Sequence, residues 1–254
     1  MYTNFKALPK TLPLGYLKDK TILITGVTSG IGRALSLACS QQGAEVILLG
    51  RDQKKCEVLY DEIVAKHYPK PAILPLDLLQ VIPEDVDALA ATLYNTFGKL
   101  DGLVHNAALL NRLCPIEHYP PDLWQKIIHT NLHAPFVLTR GLLPLLKQTQ
   151  NASIIFSTDT LSQAPKAYWG AYSVSKAGLE NFAQILHKEL ADNTTVRVNC
   201  LYPGEVHTRL HKQAYPNSTP TAHKEEAVLL PYLYLLGPLS KERGEILSYT
   251  DQDG

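Results

Sequence analysis

Little in this chain points to a membrane, a metal or a disulfide framework. Four cysteines (Cys39, Cys56, Cys114, Cys200) are scattered through 254 residues, with no CxxC pair and no Cys/His metal spacing. That usage reads as reduced, partly buried thiols of a cytoplasmic protein. His129/His133 and His207/His211 are pairs four residues apart, but neither has a third ligand at suitable spacing, so no metal site is expected. No apolar run approaches the roughly 20 residues that span a bilayer. The N-terminal stretch interrupts its apolar residues with prolines and lysines and lacks the apolar core of a signal peptide. Net charge is missing as well. Basic and acidic residues cancel at 24 each, so no global field draws the chain to nucleic acid or to an anionic membrane. There is no internal repeat, low-complexity tract or linker, and one domain over residues 1–254 is expected.

What the chain does have is alternation. Short apolar runs at 21–25 (TILIT), 45–49 (EVILL), 72–76, 102–105, 153–157, 196–201 and 245–248 read as strands. Between them lie helical patterns at 31–42, 52–67, 84–97, 122–147 and 172–191. The strands are continuous apolar runs, as expected when helices cover both faces of a parallel sheet. The fold class is therefore α/β, a single Rossmann-type doubly wound parallel sheet of about seven strands. Residues 205–223 break the rhythm: polar, rich in His, Pro and Thr, and weakly periodic. Such a loop suits a lid or binding segment.

Between the first strand and first helix stands Thr25-Gly26-Val27-Thr28-Ser29-Gly30-Ile31-Gly32. Gly26 permits a tight turn, Gly30 a close approach of pyrophosphate to backbone, and Gly32 close helix–strand packing. Thr28, Ser29 and Ile31 belong to the same turn, and the helix start offers N–H groups and partial positive charge to phosphates. A dinucleotide is the ligand that fits. An NAD site usually places an acid about 20 residues on, at the ribose 2′-hydroxyl. Here Gly50-Arg51 ends the second strand and Arg33 follows the turn. Two guanidinium groups suit a 2′-phosphate and favour NADP. Asp52 keeps NAD open, since a small backbone shift would bring its carboxylate to the 2′-hydroxyl.

Farther along, Tyr172 and Lys176 are four residues apart at the start of a helix and so share a face. A phenol with a pKa near 10 exchanges protons poorly at neutral pH, and a nearby ammonium lowers that value.

The GxxxGxG turn, the YxxxK pair and Pro203-Gly204-x-x-x-Thr208, in this order, resemble the short-chain dehydrogenase/reductase family. Residues 46–51 (VILLGR), 100–106 (LDGLVHN), 169–172 (WGAY) and 197–200 (RVNC) are similar to its bacterial YciK-like subgroup. The resemblance implies an NADP(H)-dependent cytoplasmic oxidoreductase that interconverts a carbonyl and an alcohol on a small molecule. It places Asp77, with Leu78, at the adenine, and Asn106-Ala107 beside the cofactor, with Ala108 where glycine is usual. Lys176 would bond the nicotinamide ribose while Tyr172 exchanges the proton. Asn131 would hold a water of the proton relay, and Pro203, Gly204 and Thr208 would border the nicotinamide. The helix at 172–191 would pair two copies in a dimer or tetramer.

One position departs from this pattern. Relatives carry a substrate-orienting serine 13 residues before the tyrosine, and here that residue is Asp159. An ionised aspartate only accepts hydrogen bonds, and its charge raises the pKa of a nearby tyrosine. Three readings stay open. Burial keeps Asp159 protonated, or Thr158 or Thr160 takes over the role, or the protein binds the cofactor without turnover as a sensor or interaction partner. A different Rossmann enzyme, such as a methyltransferase, would bind S-adenosylmethionine instead. Segments 109–113, 161–169 and 205–215 are the candidate pocket walls and select no substrate.

Overall fold

The computed structural model describes residues 2–5, 8–216 and 223–249. Eight strands form one sheet in which every described pairing is parallel. They are β1 (Thr3–Asn4), β2 (Thr21–Thr25), β3 (Glu45–Gly50), β4 (Ala72–Pro75), β5 (Gly102–His105), β6 (Ser153–Ser157), β7 (Arg197–Tyr202) and β8 (Ile246–Ser248). Their spatial order is β1-β8-β7-β6-β5-β2-β3-β4. The chain winds outward from β2 through β3 to β4, then returns to β5 and winds the other way. The reversal lies between β2 and β5, and in doubly wound sheets the ligand crevice opens there, at the carboxyl ends of the strands.

Alternation along β2 builds the two faces. Leu23 joins Phe156, Val137, Leu142 and Leu186 on one side. Ile22 and Ile24 join Leu35, Leu48 and Tyr232 on the other. Helices α1 (Gly30–Gln41), α2 (Gln53–Ala65) and α8 (Leu229–Leu236) cover the second face. Helices α3 (Pro83–Phe97), α5 (Ala134–Lys147) and α6 (Gly170–Leu190) cover the first, with α4 (Pro121–Ile128) packed on α6. Among the described residues, no helix is long and apolar enough to cross a membrane.

Four details differ from the sequence expectation. An eighth strand, β1, pairs with the sheet edge at Thr3↔Leu247 and Asn4↔Ser248. The helix expected over 122–147 is broken by a π-helical turn at His129–His133. Residues 205–223, expected as a loop, contain the short helix α7 (Arg209–Ala214) and a bridge between Val206 and His223, and residues 217–222 lie outside the described residues. Helix α8 arises from LLPYLYLL, where seven of eight residues are buried. A helix buried all round has no apolar period to read.

Candidate active site

A cleft of about 360 Å³ opens along the carboxyl ends of β2, β3, β5, β6 and β7. Its floor at one end is the glycine turn. Gly26 has φ +74°, and a Cβ there would lie 2.9 Å from Ala107 Cα. A Cβ on Gly32 would overlap the Gly26 carbonyl oxygen and lie 2.6 Å from Asn106 Nδ2. Thr28, Ser29, Gly30 and Ile31 line the cleft, and the Ser29 side chain makes no capping bond to α1. The start of this 12-residue helix thus remains available to an anion. Thr25, which the sequence reading did not single out, holds the facing loop. Its Oγ1 accepts from the N–H groups of Asn106 and Ala107, both at 3.0 Å.

The two arginines part company. Arg51 is exposed and lines the cleft. Arg33 pairs with Glu62 of α2 and is not among the lining residues. Asp52, the acid that kept NAD open, caps α2. It accepts from Lys55 N–H at 3.2 Å and pairs with the Lys55 ammonium at 3.1 Å, bonds that hold its carboxyl below the usual range. Asp77 and Leu78 line the cleft beyond Arg51, with Asp77 Oδ1 accepting from Leu79 N–H at 3.0 Å. Pro203, Gly204 and Thr208 line the opposite wall, and Thr208 Oγ1 caps α7 by accepting from His211 N–H.

Tyr172, Lys176 and Asp159 meet in the middle of the cleft. Tyr172 is 3% exposed and donates its hydroxyl to Asp159 Oδ2 at 3.2 Å. Lys176 Nζ lies 5.7 Å from the Tyr172 ring centroid and donates to the Ser157 carbonyl at 2.7 Å. Burial pulls the ammonium down to about 8, opposed by Asp159 and Glu180. The phenol moves the other way. Burial first, then the Asp159 charge, push Tyr172 well above its ordinary value. The sequence expectation that Lys176 lowers it is not met, because burial and the Asp159 charge set the direction. Asp159 is used throughout as an acceptor, taking Leu161 N–H at 3.0 Å and Thr160 Oγ1 at 3.4 Å on Oδ1. Thr158, offered as a substitute for the family serine, is already committed, since its hydroxyl donates to Glu180 at 2.5 Å.

Asn131 sits in the π-helical turn, and its amide is engaged. Oδ1 accepts from Leu109 N–H at 2.7 Å, while Nδ2 donates to Leu109 O at 2.9 Å and Ser175 Oγ at 3.1 Å. It clamps the loop after β5 against α6 and does not line the cleft.

Glu180 was not found from sequence, although it stands one helical turn beyond Lys176 on the face that carries Tyr172. It is 5% exposed, and Oε1 accepts from Thr158 and from Ser162 at 2.6 Å, while Oε2 accepts from Gln163 at 3.1 Å. The Tyr2 hydroxyl, carried in by β1, reaches Glu180 at 3.4 Å and donates to the Asp159 carbonyl at 2.7 Å. These donors come from residues 158–163 and from Tyr2 near the start of the chain, and no local pattern announces them. Glu180→Ala removes the acceptor of Thr158 and Gln163, while Tyr2 and Ser162 keep the Asp159 carbonyl, and is expected to cost about 1–3 kcal/mol of stability, read by urea unfolding. A variant as stable as the natural protein would show that water replaces the carboxylate.

Among the described residues no group of three or more His, Cys, Asp or Glu could hold a metal ion. His129/His133 and His207/His211 are ring neighbours at 4.8 and 6.0 Å.

The short chain dehydrogenase family profile matches residues 20–219. Oxidoreductase YciK of Escherichia coli K12 is 36% identical over 228 residues, 89% of this chain and 90% of that protein. A short chain dehydrogenase structure from Pseudomonas syringae superposes with a TM-score of 0.91 at 38% identity, covering 94% of this chain and 97% of that one. A structure from Shigella flexneri 2a, complexed with NADP, superposes at 0.90 with 34% identity, covering 93% and 99%. Its counterpart from Escherichia coli CFT073, complexed with NADPH, gives 0.89 at 34% identity and the same coverage.

Proposed function

Because the chain belongs to the short-chain dehydrogenase/reductase family, we propose that it is an NADP(H)-dependent enzyme interconverting a carbonyl and an alcohol on a small molecule. The observation that carries this is the buried Tyr172–Lys176 pair in the cleft that begins at the glycine turn. NADP is supported by the relatives that hold NADP and NADPH, and by Arg51 on the cleft wall in place of an acid. The start of α1 would hold the pyrophosphate, Arg51 the 2′-phosphate, Asp77 and Leu78 the adenine end, and Pro203, Gly204 and Thr208 the nicotinamide end. When bound, NADPH supplies a hydride to the carbonyl carbon.

The chain's own part is the proton. A buried Tyr172 held well above its ordinary pKa stays protonated at neutral pH and donates to the substrate oxygen. The Lys176 charge stabilises the phenolate left behind. This favours reduction over oxidation, which would start from tyrosinate. Lys176 is charged below about 8 and neutral above. The rate of ketone reduction is therefore expected to hold through the neutral range and fall as pH rises past that value. A rate that climbs across the same range would mean that tyrosinate formation limits the reaction and would contradict the assignment.

The four cysteines are free and buried, which suits a reducing compartment, and we place the protein in the cytoplasm. The outer faces of α5 and α6 expose Phe136, Val174 and Ile185. A second copy of the chain would cover them, giving a homo-oligomer.

The assay is NADPH consumption with a reactive diketone. Consumption that depends on the diketone supports the reading, and tight NADPH binding without consumption by any carbonyl compound contradicts it.

A further inference from the structure

We propose that the substrate carries a cationic nitrogen close to its reacting carbonyl, and that Asp159 is the counter-ion that receives it. The inference rests on the reductase reading and names its substrate class.

An ionised carboxylate has about four acceptor positions and no donor. Leu161 N–H and Thr160 Oγ1 occupy Oδ1, and Tyr172 occupies one position on Oδ2. Asp159 is half-buried and lines the cleft, so the remaining position on Oδ2 faces a ligand. A plain ketone offers only lone pairs there and meets an acceptor with an acceptor. A cationic nitrogen brings positive charge to the same place, an attraction that needs no N–H on the nitrogen.

Aromatic rings share the cleft with the carboxylate. Trp169, 5% exposed, lies 5.6 Å from Tyr172 and 5.7 Å from Tyr215, and Tyr215 lies 5.2 Å from His211. Tyr202 lines the same cleft. Aromatic faces grouped about a carboxylate make a cation site, worth more when desolvated. The cations of the cleft are engaged or exposed: Lys176 donates to the Ser157 carbonyl, and Lys166 and Arg209, which also line the cleft, are exposed. Glu205, 3.9 Å from His211, adds a second negative charge.

The Asp159 charge opposes formation of the Tyr172 phenolate. A substrate cation neutralises that charge only when it is bound, so proton donation by Tyr172 becomes easiest with the correct ligand in place.

The test uses two ketones of the same shape, acetonyltrimethylammonium and 4,4-dimethylpentan-2-one, which differ by a nitrogen cation in place of a quaternary carbon. With the full-length protein and NADPH, kcat/KM is expected to favour the charged ketone by about tenfold or more. Asp159→Asn, which keeps the side-chain shape, should bring the ratio close to one. Equal use of the two ketones, or a preference that survives Asp159→Asn, overturns the proposal. Calorimetric titration of both ketones into the NADPH-loaded protein separates this failure from that of the parent reading. If neither ketone is consumed but the cation alone binds, in an Asp159-dependent way, the counter-ion stands and the reductase reading falls. If neither is consumed and the cation binds no better than its isostere, the counter-ion falls.

Discussion

Tyr172→Phe lowers kcat for carbonyl reduction by roughly 10²–10⁴-fold and leaves NADPH binding intact. The substitution removes one oxygen and keeps the ring. Packing against Trp169 at 5.6 Å and the position of Lys176 near the ring are retained, so the fold and the cofactor end of the cleft have no reason to change. The proton source is what disappears. Tyr172 lines the cleft as a donor, and Asp159, an acceptor in every bond it makes, has no proton to offer in its ionised form. The check is a pair of measurements on one preparation, diketone-dependent NADPH oxidation and a fluorescence titration with NADPH. Retained turnover would assign the proton to another group.

Gly32→Ala acts at the other end of the cleft and leaves every proton-transfer group untouched. Its Cβ would overlap the Gly26 carbonyl oxygen and press on Asn106 Nδ2. Both neighbours are held. Gly26 donates its N–H to Leu49 O at 3.1 Å, and Asn106 Nδ2 donates to Thr25 O at 3.2 Å. Overpacking of this kind costs about 1–3 kcal/mol. Displacing α1 from β2 also moves the phosphate-facing start of the helix, so NADPH affinity should fall together with the melting temperature. An alanine variant that melts and binds like the natural protein would mean that the turn relaxes without loss, and that Gly32 does not set the spacing between α1 and β2.

The parts of the site legible in the sequence are those encoded locally. A glycine turn after an apolar run, an arginine at the next strand end and a tyrosine four residues before a lysine each carry their meaning within one or two turns of chain. The structure brings most of them to one cleft. What could not be read depends on distant partners. Arg33 has the same local credentials as Arg51, yet Glu62 on α2 takes its guanidinium away from the cleft lining. Asn131 gives no sign in sequence that Leu109 and Ser175 will occupy its amide. Glu180 looks like an ordinary helix acid until Thr158, Ser162 and Gln163 converge on it. The same holds for the fold. β1 is two residues long and exists through its pairing with β8, and α8 shows no apolar period because neighbours surround it. The π-helical turn at His129–His133 has no propensity signal of its own. Asp159 was legible as a departure, but its consequence depended on seeing which atoms surround it.

The central claim is that this cleft carries out reduction with a proton from Tyr172. Its most direct test is to mix deuterium-labelled NADPH with a diketone and the natural protein, with Tyr172→Phe in parallel, and to look for the label in the alcohol. Labelled alcohol is expected from the natural protein and almost none from the variant. Labelled alcohol at equal rates from both would contradict the role of Tyr172, and tight NADPH binding with no labelled alcohol from either would contradict the enzyme itself.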